Sequence, residues 1–129
     1  MKALITGGAG LLGSALVRRR PADWRVEVTV HATPTARVEG VKQHRIDLAQ
    51  PLAFFELAER RRPDVVIHTA YSKTDHAATV DSATEVASAC GALEIPLVHI
   101  STDAVFDGDH APYSETDEPS PVHPYGRAK

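Results

Sequence analysis

The sequence is poor in the features that would commit it to several broad classes. It has one cysteine, Cys90, so no internal disulfide can form, and such sparing use suits a reducing compartment. Positive charge is in deficit, with 14 Lys and Arg against 17 Asp and Glu. The resulting formal charge of -3 argues against a nucleic-acid partner, whose phosphates demand a basic face. No apolar run reaches the length needed to cross a membrane, and "MKALITGG" shows no long apolar segment before a cleavage site. Internal repeats and low-complexity tracts are absent as well. The expectation is a cytoplasmic domain with neither a nucleic-acid nor a membrane partner.

What is present is an ordinary globular composition, 43% hydrophobic and 24% charged, in a chain of 129 residues, long enough for one domain with a real core. "KALIT" (Lys2 to Thr6) is a short apolar run ending at glycines and reads as a buried strand. A helix is expected from Leu11 to Arg20, stopped by Pro21. "RVEVTV" (Arg25 to Val30) alternates as a second strand, and "VKQHRIDL" (Val41 to Leu48) offers a third. Gln50 and Pro51 open a helix that Pro63 ends. "DVVIHTA" (Asp64 to Ala70) is continuously apolar, as a parallel strand covered on both faces should be. Ala78 to Ile95 supplies the next helix and "LVHIST" (Leu97 to Thr102) a fifth strand. This alternation predicts an α/β fold with a doubly wound parallel sheet. Asp107 to Pro124, rich in Pro, Asp and Ser, reads as a long loop, and Tyr125 to Lys129 as the first turn of another helix. The basic triplets Arg18 to Arg20 and Arg60 to Arg62 each close a predicted helix and are expected to be solvated helix ends.

"TGGAGLLG" sets Gly7, Gly10 and Gly13 in a G-x-x-G-x-x-G array between the first strand and the first helix. Dinucleotide binding needs glycines there: one for the tight turn, one for backbone approach to the pyrophosphate, one for close helix–strand packing. Amides near Leu11 and Leu12, at the helix start, would then face the phosphates. A carboxylate after the second strand would bind the adenosine ribose, but His31 holds that position and none follows before Glu39. Thr33, Thr35 and Arg37 could instead contact a 2′-phosphate, which tilts the expected cofactor to NADP, with NAD the alternative. The seven histidines show no metal-ligand spacing, so no metal is expected; His68 and His99 lie in strand runs and should be packed or hydrogen-bonded. Cys90 reads as a small buried hydrophobe.

One further spacing carries chemistry. Tyr125 and Lys129 form a Tyr-x-x-x-Lys pair, for which chance alone gives about 0.1 matches among three tyrosines. The "TGGAGLLG" loop, "RIDL", "PDVVIHTAYSKTD" and above all "HISTDAVFDGDHAPYSETDEPSPVHPYGRAK" resemble the extended short-chain dehydrogenase/reductase superfamily, and within it the sugar-nucleotide reductase group. The resemblance covers nearly the whole chain. It implies a Rossmann-type NAD(P)-binding domain over residues 1–129, the N-terminal part of a longer enzyme whose last strands and sugar-nucleotide domain follow. A chain that ended at Lys129 would be expected to be inactive, because one helical turn is far below the ~12 residues that approach stability alone.

By that resemblance Asp47 and Leu48 lie beside the adenine ring, and Thr69, Ala70 and Tyr71 form a cofactor-contacting turn. Tyr125 supplies the proton to a carbonyl oxygen, Lys129 favours the phenolate by its nearby positive charge and holds the nicotinamide ribose, and Thr102 hydrogen-bonds the carbonyl. The implied activity is NAD(P)-dependent reduction of a nucleotide-linked 4-keto sugar. The alternatives are an epimerase or dehydratase of the same superfamily, or a catalytically silent cofactor-binding subunit; a homodimer is compatible with each. Two departures stand out. The segment after Asp75 is short, so the following helix is expected to start late, and Asp81 replaces the family's common Asn, which is expected to loosen a backbone contact.

Overall fold

In the computed structural model, which describes residues 1–32, 39–72 and 74–129, five strands hydrogen-bond in parallel in the order β3-β2-β1-β4-β5. They are β1 (Lys2–Thr6), β2 (Arg25–Val30), β3 (Lys42–Arg45), β4 (Val65–His68) and β5 (Leu97–His99). Helix α1 (Leu11–Arg18) follows β1, α2 (Ala53–Arg61) follows β3, and α3 (His76–Ala92) follows β4. A 3-10 turn, Asp103–Val105, and α4 (Pro124–Arg127) come last. The strand order reverses direction between β1 and β4, the switch point beside which open α/β sheets bind ligands.

Both faces of the sheet are covered, and strand alternation divides the core accordingly. Leu4 and Val66 point to one side, packing with Phe54, Leu57 and Ala58 of α2 and Val86, Ala89 and Cys90 of α3. Ala3, Ile5, Val26, Val28 and Val30 point to the other, where Val17 of α1 and Trp24 close over them. Cys90 is buried as expected, and that burial pushes its thiol up to about 11.

Several boundaries differ from the sequence expectation. Helix α1 stops at Arg18 rather than Arg20, because the backbone of Arg19 leaves helical geometry at φ -104°, ψ 11°. Helix α2 starts at Ala53, after Leu52 takes a left-handed conformation at φ 63°. Helix α3 begins early, not late: Asp75 accepts the Ala78 amide at 2.9 Å and caps a helix starting at His76. It ends at Ala92 rather than Ile95, since Glu94 turns left-handed at φ 54°. Strand β3 keeps only the four residues that pair with β2, and β4 ends at His68. Strand β5 ends at His99, three residues before Thr102, and His99 is solvent-exposed with its ring stacked on that of His68.

Arg61 also departs from the solvated helix end expected of it. Its Nε donates to Glu27 at 2.8 Å and its Nη2 to the same carboxylate. Glu27, only 7% exposed in β2, is also bonded to His44 Nε2 at 2.5 Å and lies 3.7 Å from Lys2 Nζ. Burial by itself would raise this carboxyl, but hydrogen bonds from Arg61 and His44 and the charges of Arg61 and Lys2 outweigh it and hold the group at about 2. A carboxyl held below its unfolded value stabilises the fold above that value and loses the contribution as pH falls toward the folded one. The shift from 4.5 to about 2 corresponds to about 3 kcal/mol. Glu27→Gln should therefore cost about 3 kcal/mol near neutral pH, with the gap to wild type closing between pH 4.5 and 2 in denaturant unfolding. A gap independent of pH would show that the carboxylate's charge is not what holds α2 to the sheet.

Candidate active site

A cleft of about 690 Å³ opens at the carboxyl ends of β1, β2, β3 and β4. Its floor is the loop after β1, where Gly7 (φ 70°) and Gly10 face the space. The glycines here are sterically compelled. A Cβ on Gly8 would lie 2.6 Å from Val28 Cβ, and one on Gly13 would lie 2.3 Å from the Gly7 carbonyl oxygen. Gly13 thus sits beneath the loop and does not line the cleft. Neither do Leu11, 90% exposed, and Leu12; their backbone amides lie in the first turn of α1, where no helical carbonyl precedes them.

The far walls contain most of the other residues the sequence singles out. His31 follows β2, Asp47 and Leu48 follow β3, and Thr69, Ala70 and Tyr71 follow β4, all lining the same cleft. His31 Nε2 stands 3.9 Å from Asp47, so the ring and the carboxylate share one rim. Arg37, with Thr33 and Thr35, lies outside the described residues. Asp81, also expected near the site, lines the cleft beside Ser82.

One hydroxyl ties the loop to the opposite wall. Thr6 Oγ1 accepts the backbone amides of Thr69 at 3.1 Å and Ala70 at 3.2 Å, and lies 2.8 Å from His68 Nδ1. A hydroxyl has two acceptor positions and one hydrogen. Both acceptors are taken by amides, so the hydrogen goes to His68 Nδ1, and the proton of the neutral ring resides on Nε2. Burial, with the charges of His99 and Lys129 adding to it, lowers His68 to about 4, so the ring is neutral at physiological pH. Nε2 has no partner among the described residues. His68 stacks on His99 at 5.3 Å.

Tyr125 and Lys129 do not line the cleft; they reach it through Tyr71. The Tyr125 and Tyr71 rings form an edge-to-face pair with centroids 6.0 Å apart, and Lys129 Nζ sits 5.2 Å from the centre of the Tyr71 ring. Burial lowers the Lys129 pKa. Helix α4 is placed by Gly126, where a Cβ would come within 1.9 Å of the Ala104 carbonyl oxygen in the 3-10 turn. That turn is capped by Thr102, whose Oγ1 accepts the Ala104 amide at 3.3 Å and donates to Asp103 at 3.1 Å. Thr102 is thus engaged in its own turn. The loop between turn and helix is gathered by Asp107, which accepts from Tyr113 Oη at 2.6 Å, the Asp109 amide and Ser120 Oγ. The Tyr113 bond leads the causes that hold the Asp107 carboxyl well below the usual carboxylate range.

Sequence reasoning missed Thr6, Gly8, Arg45, Asp75 and Gly126. Arg45 closes β3, and its Nε and Nη2 donate to the carbonyls of His31 (3.1 Å) and Ala32 (3.4 Å) on the cleft rim. Two of these had a local signal: Asp75 is a helix-capping residue type three places before Ala78, and Gly126 is a glycine where a helix should begin. The other three act on residues remote in sequence.

A glycine loop under a cleft at the switch point of a parallel sheet defines the class, a Rossmann-type α/β domain. The model of the family described as RmlD substrate binding domain matches residues 1–129; the chain belongs to this family, within the extended short-chain dehydrogenase/reductase group. It is 36% identical over 140 residues to the dTDP-4-dehydrorhamnose reductase of Burkholderia thailandensis, covering 100% of this chain and 43% of that protein. It is 34% identical over 138 residues to methionine adenosyltransferase 2 subunit beta of Rattus norvegicus, covering 99% of this chain and 40% of that one. A crystal structure of a hypothetical dTDP-4-dehydrorhamnose reductase from Sulfolobus tokodaii superposes with a TM-score of 0.83 at 28% identity, over 99% of this chain and 49% of that one. The chain thus spans less than half the length of these relatives.

Proposed function

We propose that the full-length protein reduces the 4-keto group of a nucleotide-linked sugar with NADP(H). The observation that carries this reading is the convergence of Tyr125 and Lys129 on Tyr71 at the mouth of the glycine-floored cleft. A dinucleotide fits the residues present: the cleft lies within the ~300–1,000 Å³ usual for cofactor sites, its floor would not admit a Cβ at Gly7 or Gly8, and the amides of the α1 first turn precede any helical carbonyl that could accept them. Gly7, Gly10 and the amides of Leu11 and Leu12 would hold the pyrophosphate. Asp47 and Leu48 would flank the adenine, and Thr69, Ala70 and Tyr71 the nicotinamide half. When bound, the cofactor supplies a hydride to the carbonyl carbon. Tyr125 gives its phenolic proton to the carbonyl oxygen, and the Lys129 ammonium favours the phenolate left behind. Thr102 places the carbonyl once its hydroxyl hydrogen leaves Asp103.

His31 and Arg45 form the subsite for the adenosine 2′-phosphate. Among the described residues Arg45 spends two of its five N–H groups, on the rim carbonyls of His31 and Ala32, which fixes the guanidinium and leaves three for a phosphate. Full-length protein given NADPH and a nucleotide-linked 4-keto sugar should oxidise the cofactor, and NADH less well. Arg45→Ala should weaken NADPH binding by about tenfold and leave NADH unchanged in a fluorescence titration. A strong preference for NADH in the wild type would remove the NADP assignment. The similarity to methionine adenosyltransferase 2 subunit beta favours a second reading, a cofactor-binding subunit without turnover. Cofactor binding without oxidation of NADPH, across several nucleotide-linked keto sugars, would select it.

A further inference from the structure

We infer that Tyr71 is a positioning residue for the Tyr125–Lys129 pair: its ring face seats the Lys129 ammonium and an edge-to-face contact fixes Tyr125, joining the proton donor and its cation to the wall of the cleft. This rests on the reductase reading and deepens it. Tyr71 follows β4 and lines the cleft, yet 45% of it is exposed, so burial alone does not explain a large aromatic there. Lys129 Nζ lies 5.2 Å from its ring centre, inside the ~6 Å within which the negative face of an aromatic ring attracts a cation. The Tyr125 ring stands at 60° to it with centroids 6.0 Å apart, the edge-to-face arrangement in which a positive ring edge meets a negative face. One ring therefore touches both members of a pair that lies one helical turn apart. Among the described residues no carboxylate lies within 4.0 Å of Lys129, so the ring is the contact that receives this half-buried cation. Burial already disfavours the charged lysine, and the neighbouring His68 is neutral, which leaves Tyr71 as the attractive partner. Lys129 can favour the Tyr125 phenolate only while it stays charged and near, so the seat acts on the proton-transfer geometry as well as on cofactor affinity.

The test compares Tyr71→Phe with Tyr71→Leu in the full-length protein. Phenylalanine keeps the ring and its negative face, whereas leucine keeps bulk and apolarity without either. Tyr71→Leu should lower kcat by about tenfold with the sugar KM within about threefold of wild type, and Tyr71→Phe should restore most of kcat. The ε-methylene protons of Lys129 should be shifted upfield by the ring in wild type and Tyr71→Phe, and lose that shift in Tyr71→Leu. An unchanged kcat in Tyr71→Leu overturns the proposal, as does an effect confined to cofactor KM, which would make Tyr71 a wall of the cleft only. Equal damage in Tyr71→Phe also overturns it, since the hydroxyl and not the ring would then matter. Absence of turnover in the wild type defeats the reductase reading instead, and the Lys129 ε-proton shift still decides whether Tyr71 seats the ammonium.

Discussion

Tyr125→Phe in the full-length protein is expected to lower kcat by about 10²–10⁴-fold, the usual worth of a positioned general acid. Cofactor affinity should stay within a few-fold, because phenylalanine keeps the edge contact to Tyr71 and loses only the hydroxyl. The reasoning is one of timing. The phenolic proton is needed as the hydride arrives, so the interaction exists in the transition state and not in the ground state. Lys129, two residues past the end of α4, supplies the positive charge that stabilises the phenolate left behind. Steady-state kinetics with a parallel cofactor titration separate the outcomes. Turnover retained near the wild-type level would remove Tyr125 as the acid and turn attention to the solvent or to another donor at the cleft mouth.

Gly126→Ala is expected to be almost as damaging, although residue 126 contributes no reacting atom. A Cβ there would stand 1.9 Å from the Ala104 carbonyl oxygen and 2.8 Å from its carbon, both backbone atoms, with Pro121 at 3.1 Å on another side. A backbone carbonyl cannot swing aside as a flexible side chain would, so α4 must lift from the 3-10 turn. Lifting it moves Tyr125 and Lys129 relative to Thr102, and a misplacement of about 1 Å in a reacting group costs on the order of 100-fold in rate. The expected result is a kcat reduced by about that factor, with the Glu27 end of the sheet, remote from α4, unaffected in unfolding experiments. Wild-type kinetics for Gly126→Ala would mean that α4 has slack at this contact.

The strand-and-helix order was legible because each strand is a separate apolar or alternating run closed by Gly or Pro. "KALIT" and "DVVIHTA" could hardly be read otherwise, and their neighbours in the sheet follow from right-handed crossovers. Element ends were less legible, since a strand lasts only as long as its neighbour offers partners. "LVHIST" has six strand-like residues, but the paired register along β4 ends at His99. The glycine loop announced itself locally, whereas Arg45 and Thr6 did not. The partners of Arg45 are 13 and 14 residues away in sequence and those of Thr6 62 or more, and only the folded register brings them together. Arg61 is the same lesson in the core: two residues before a proline it looks like a solvated helix end, and it is the principal cation on a buried carboxylate 34 residues earlier.

The filled valence of the Thr6 hydroxyl limits how this sequence can drift. Two amides and one imidazole nitrogen use every bonding position of a single oxygen. A neutral Nδ1 is demanded at residue 68 only because the hydroxyl has nowhere else to send its hydrogen. Threonine to serine keeps the arrangement, but threonine to valine strips the acceptor from two amides and the donor from His68 in one change. Replacement at position 6 by a residue without a hydroxyl should therefore be tolerated in relatives only alongside a different residue at position 68. Positions 6 and 68 ought to vary as a couple across the family, while Thr69 and Ala70, which contribute only backbone amides to this oxygen, vary independently of position 6.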